Sequence, residues 1–152
     1  MKNNESDLSE NLAGNVGFLL AYVAEKSGAQ YHEALAAEGL EAHHVGVLEL
    51  LMGGPMKQAR IAEALSVFKP VVVTLVNDLE GAGFVERRPH PTDRRAVAVH
   101  LLPKGREKLT AVQAVSTAAT DRFLSALTAA ERVAFSEILT KLYKGLPDDD
   151  DA

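Results

Sequence analysis

The side chains with the most to offer chemically are Arg60, Lys69, Thr74, Asn77, Arg87, Arg88, Asp93, Arg94 and Arg95, all within one stretch of the chain. Their chemistry is non-covalent. Guanidinium and ammonium groups bind phosphate, and amide and hydroxyl groups reach base edges. Asp93 and Arg95 are two residues apart, so on an extended segment they lie on one side and the carboxylate can hold the guanidinium in one direction. An arginine aimed in this way suits a narrow, electronegative minor groove. Arg95 is therefore expected to insert there with Asp93 orienting it, while Arg94, Lys69, Arg60, Arg87 and Arg88 are better placed for phosphates.

Catalysis finds little support. No glycine-rich phosphate loop, serine elbow or paired His/carboxylate metal motif occurs, so an enzyme is not expected. With no cysteine, thiolate catalysis, thiol redox sensing and disulfides are all excluded. His32, His43 and His44 invite a metal, but His43 and His44 are adjacent and face about 100° apart on a helix. The helix expected after Lys104 has no histidine to complete a tetrahedral set. Neither a metal nor a cofactor is expected.

The basic residues need a frame, and the pattern around them supplies one. Gln58 to Leu65 reads as a short helix with Ile61 and Leu65 one turn apart. Lys69 to Glu80 reads as a second helix, with Pro70 suited to its first turn and Gly81 near its end. Val72, Leu75, Val76 and Leu79 form its inward stripe, which leaves Pro70, Val71, Val73, Thr74 and Asn77 facing outward. Phe84 to Arg88 and Ala96 to Leu102, joined by a Pro/Asp tip, read as a β-hairpin with Val97, Val99 and Leu101 on one face. Helix, tight turn, helix and basic hairpin in that order can set one helix in a DNA groove while the arginine loop reaches the next.

At these residues the chain resembles the MarR family of winged helix-turn-helix regulators. The resemblance runs through Ile61-Ala62-Glu63-Ala64-Leu65, Thr74 to Arg88, Pro91-Thr92-Asp93-Arg94-Arg95 and Leu101-Leu102-Pro103-Lys104-Gly105. The Asp-x-Arg hairpin followed by alternating strand and Lys-Gly is its most specific part. It implies a homodimeric regulator of transcription, a repressor released by a small aromatic or phenolic ligand. His44, with Phe18 and Tyr22, is expected near the crevice where the family binds such effectors. The chain departs from the family at Phe68, Val71 and Val73, where serine or threonine is usual. Valines can meet thymine methyl groups while Thr74 and Asn77 reach base edges or phosphate, so an AT-leaning site read largely by shape is expected.

The net charge of −5 is unevenly distributed. Pro55 to Arg106 holds nine Lys/Arg against five Asp/Glu, a net of +4, so the rest of the chain carries −9. Four of those negative charges lie in Asp148 to Asp151, expected as a solvated tail. A length of 152 residues with 47% hydrophobic content supports one compact core with helical extensions. No long apolar run or basic-then-apolar leader occurs, so a cytoplasmic protein without a membrane partner is expected.

The fold class is therefore mainly α with a small β-hairpin wing, a winged helix-turn-helix flanked by dimerisation helices. Residues 1–38 are assigned to an N-terminal dimerisation helix, 39–105 to the DNA-binding lobe, 106–146 to C-terminal dimerisation helices and 147–152 to the acidic tail. The apolar repeat from Leu8 to Gly39 predicts a first helix of about 30 residues. Thr128-Ala129-Ala130-Glu131 predicts a capping box ahead of a last helix carrying Phe135, Ile138, Leu139 and Leu142. Two-fold pairing would set two recognition helices about 34 Å apart on double-stranded DNA, at a pseudo-palindromic operator. The rival reading is a winged-helix module that contacts other proteins and not DNA.

Overall fold

A computed structural model describes residue 12 and residues 14–146 of the chain. In order, it contains α1 (Val16–Ala37), α2 (Ala42–Met52), α3 (Gln58–Leu65), α4 (Lys69–Gly81), β1 (Val85–Pro89), β2 (Val97–Leu101), α5 (Pro103–Phe123) and α6 (Ala129–Lys144). The expected architecture, mostly helical with one antiparallel hairpin, is the one observed. None of the described helices is long and apolar enough to cross a membrane. The acidic run Asp148–Asp151 and the Leu8 end of the apolar repeat lie outside the described residues.

The first helix is shorter than its apolar repeat suggests. It begins at Val16 because the Asn15 side chain accepts from the Phe18 N–H at 3.0 Å, satisfying one of the donors a helix start leaves over. The last helix starts as expected. Thr128 Oγ1 accepts from the Glu131 N–H at 3.3 Å, and Glu131 Oε2 accepts from the Thr128 N–H at 2.8 Å. Leu127 lies between α5 and α6, in the connecting turn.

One core joins the elements. Leu48, Leu51, Ile61, Val72, Val76, Leu79, Val85 and Val99 are buried together with Leu35 of α1 and Leu109 and Val112 of α5. The stripe predicted on α4 is thus the buried side of that helix. Its C-terminal turn closes through Gly83, whose φ of 76° lets the Phe84 N–H bond to the Leu79 carbonyl at 2.9 Å. Gly105 is needed for another reason: α5 crosses so near β1 that a Cβ there would overlap the Phe84 carbonyl.

The wing departs from the simple hairpin in two ways. Met56 bridges Val99 through both backbone bonds, N–H to carbonyl at 3.1 Å and carbonyl from N–H at 2.9 Å, so β2 is flanked on both edges. The expected alternation along β2 also fails: Val97 is exposed near the tip, whereas Ala98 and Val99 are both buried. A strand with cover on both faces loses the in-out period that a half-buried strand shows.

Candidate nucleic-acid interface

Helices α3 and α4 are joined by a turn in which Ser66 takes the left-handed conformation, φ 51° and ψ 43°. That geometry is uncommon for a residue with a Cβ. The Val67 N–H bonds back to the Ala62 carbonyl at 3.0 Å, and α4 leaves the turn with Pro70 in its first turn. Lys69, Pro70, Val71, Val73, Thr74 and Asn77 all lie on its exposed side. Phe68 just ahead of the helix is 83% exposed, Val71 41% and Val73 43%.

Two of these polar groups already have partners. Thr74 Oγ1 donates to the Pro70 carbonyl at 3.3 Å, so its hydroxyl hydrogen is turned back onto the helix. Asn77 Oδ1 accepts from an Arg87 guanidinium nitrogen at 2.8 Å.

Arg87 was expected at phosphate, yet its donors are engaged within the chain. Nε donates to Gln58 Oε1 at 3.0 Å, the guanidinium pairs with Glu80, and the backbone N–H donates to Glu80 Oε1 at 2.8 Å. Arg87 therefore ties β1 to α3 and α4, because a planar fork with fixed donors satisfies several acceptors at once. The Arg87 N–H above all, with help from the guanidinium and against some loss of solvent, holds the Glu80 carboxyl below the usual glutamate range. Arg88 pairs with Glu86 on the same strand, and Arg60 pairs with Glu63 one turn on; both arginines are exposed.

The wing tip corrects a second expectation. Residues 93–96 form a turn closed by the Ala96 N–H to the Asp93 carbonyl at 3.0 Å, so the segment is not extended. Asp93 Oδ1 accepts from the Arg95 backbone N–H at 3.2 Å, and Oδ2 accepts from Lys57 Nζ at 3.2 Å. The carboxylate thus shapes the turn and latches it to the segment before α3; it does not hold the Arg95 guanidinium. Lys57 foremost, then the Arg95 N–H, keeps Asp93 below the usual aspartate range. Arg94 and Arg95 are exposed at the tip. Sequence reasoning missed the latch, since Lys57 lies 36 residues from Asp93 and no local spacing links them.

The three residues expected around an effector are not brought together. Phe18 and Tyr22 stack on each other along α1, with ring centroids 5.9 Å apart. His44 Nδ1 instead accepts from the Glu41 N–H at 3.2 Å and Nε2 meets Asp78 Oδ2 at 3.3 Å, joining the start of α2 to α4. None of the three lines a cleft of about 690 Å³ between α1, α5 and α6, whose walls include Leu19, Val23, Tyr31, Phe123, Phe135 and Leu139.

The arrangement fits an α-helix presented to a DNA groove with a basic loop beside it, and known proteins agree. Residues 38–96 match the MarR family. The chain is 30% identical over 145 residues to a protein of Thauera aromatica described as a putative transcriptional regulatory protein for the hcr operon, covering 91% of this chain and 87% of that one. It is 30% identical over 128 residues to the HTH-type transcriptional repressor Rv2887 of Mycobacterium tuberculosis, covering 84% of this chain and 92% of that one. The structure of Rv2887, a MarR family protein, in complex with DNA is similar with a TM-score of 0.74 over 85% of this chain and 98% of that chain. CouR from Rhodococcus jostii bound to p-coumaroyl-CoA is similar at 25% identity, with a TM-score of 0.73 over 91% of this chain and 99% of that chain. The Thauera and Mycobacterium relatives are described as regulators of transcription and not as enzymes. The chain belongs to the MarR family of winged helix-turn-helix transcriptional regulators.

Proposed function

We propose that this regulator works as a homodimeric repressor that binds a pseudo-palindromic operator and is released by a small aromatic ligand. The observation that carries the reading is the division of α4 into a buried stripe and an exposed face next to the wing arginines. On the exposed face Lys69, Pro70, Val71, Val73 and Thr74 enter the major groove with Asn77, and Arg95 reaches the minor groove beside it. Arg94, Arg60 and Arg88 meet phosphates. Arg87 and Asp93 serve the interface from behind, holding the angle between helix and wing.

Pairing is supported by α6, which has no buried residue and carries Ile138, Leu139, Leu142 and Tyr143 outward. An apolar face of this kind is suited to a two-fold partner that meets the same face of its mate. Residues 1–38 and 106–146 are then the dimer frame, and 39–105 the DNA-binding lobe. Release by ligand is supported by the CouR structure with p-coumaroyl-CoA bound. A ligand acts by preferring one spacing of the two lobes, and DNA affinity falls as far as that preference allows.

Sedimentation and gel-shift titration test the reading together. The chain should sediment as a dimer, and Arg95→Ala should weaken operator binding by about 1 to 3 kcal/mol without changing that state. With about six phosphates neutralised, log K should fall against log salt with a slope of roughly −5. A single chain at micromolar concentration, or indifference to every duplex at low salt, would refute it. Salt-insensitive capture of a protein through the wing would favour the rival reading.

A further inference from the structure

We propose that Val73 and Asn77 form a thymine-selective pair on α4, Val73 packing on the base's methyl group and Asn77 donating from Nδ2 to O4. This rests on the DNA-binding reading above and adds the base that is selected.

A guanidinium only donates hydrogen bonds, so the Asn77 atom at 2.8 Å from Arg87 has to be the carbonyl oxygen. The side-chain amide is thereby fixed in one of its two orientations. Arg87 cannot readily turn away, because Gln58 and Glu80 hold the same guanidinium. With one lone pair of Oδ1 engaged by a cation, Asn77 meets a ligand best through its Nδ2 amide hydrogens. Pairing with adenine in the usual two-bond manner needs Oδ1 as acceptor, and cytosine offers a donor where Asn77 also donates.

The acceptors that remain are guanine N7 and O6, adenine N7 and thymine O4, and Val73 chooses among them. Val73 precedes Asn77 by one helical turn and shares its exposed face, so their Cβ atoms are about 6 Å apart. Thymine alone presents an acceptor and a methyl group side by side in the major groove. Thr74 does not compete as a donor, since its hydroxyl hydrogen goes to the Pro70 carbonyl.

Duplexes retrieved by the full chain from a random-sequence pool at low salt provide the test. Each thymine of the retrieved site is replaced in turn, first by deoxyuridine, which removes only the methyl, then by 5-methyldeoxycytidine with guanine opposite, which keeps the methyl and the pairing and exchanges the acceptor for a donor. At one thymine, deoxyuridine should weaken binding about fourfold, the worth of one buried methyl. There, 5-methyldeoxycytidine should weaken it about tenfold or more, the cost of facing two donors together. Val73→Ala should erase the first penalty and keep the second. Asn77→Asp, which leaves Arg87 a partner and turns the donor into an acceptor, should make 5-methyldeoxycytidine preferred over thymine. A site whose thymines all tolerate both replacements, or penalties that persist unchanged in the two variants, overturns the pair while DNA binding stands. Failure to retrieve any duplex overturns the DNA-binding reading and the pair with it.

Discussion

In the winged lobe Leu48, Leu51, Ile61, Val72, Val76 and Leu79 are at most 1% exposed, while in α6 Val133, Ile138, Leu139 and Leu142 are all exposed. Both regions are amphipathic helices of ordinary composition, so the difference lies in what each finds to pack on. The lobe folds three helices and a sheet around one another and completes its core with Leu35 of α1 and Leu109 and Val112 of α5. Among the described residues, α6 meets its own chain along the wall of a cleft, and Val133, Ile138 and Leu142 stay in water until something covers them. A region that satisfies itself reports its architecture within one chain; under the proposed pairing, the other awaits its mate.

Truncating one leucine in each region separates them most strongly. Leu48→Ala should lower stability by about 3 kcal/mol in urea denaturation, as expected when a filled core gains a cavity. Leu139→Ala should cost less than about 1 kcal/mol when the chain is single and more as concentration rises, because its loss is felt only where a partner packs on it. Equal costs at every concentration would erase the distinction between the regions.

A smaller effect is expected at the start of α6. Thr128→Ala removes the hydroxyl that accepts from the Glu131 N–H and should cost about 1 kcal/mol by thermal denaturation. If α6 is held mainly by a partner and not by its own cap, the cost will shrink as protein concentration increases.

Acid gives the smallest change and acts on the lobe. The folded Glu80 carboxyl titrates below its ordinary range, so its contribution is complete above the unfolded value and is lost as pH falls through the folded one. Lowering the pH from neutral to below the carboxylate range should therefore reduce the denaturation midpoint of the wild type more than that of Glu80→Gln. Parallel curves for the two proteins would show that the clamp on Arg87 adds nothing to the lobe.

Legibility in the sequence followed the same divide. The boundaries of α3 and α4, the buried stripe of α4 and the box at Thr128 rest on local rules of periodicity, proline and capping, and they were readable. The bridge from Met56 to Val99, the latch from Lys57 to Asp93 and the engagement of Arg87 by Gln58 were not, because each joins residues 29 or more positions apart. The same limit explains the aromatic residues: Phe18 and Tyr22 are neighbours on one helix, but nothing local told that His44 would turn to Asp78. Charge type marked the wing arginines as candidates for a binding surface, whereas the contacts of Arg87 and Asp93 depended on partners that only folding brings near.

Helix α5 begins inside the lobe, where Gly105, Leu109 and Val112 are buried, and ends at the cleft, where Ala119 and Phe123 form part of the wall. Its 21 residues make an unbroken rod of about 32 Å. A tilt of such a rod by about 5° about its cleft end sweeps the end in the lobe by about 3 Å, close to the rise between stacked base pairs. In the proposed reading, a ligand between α1 and α6 would reach the wing by tilting this rod.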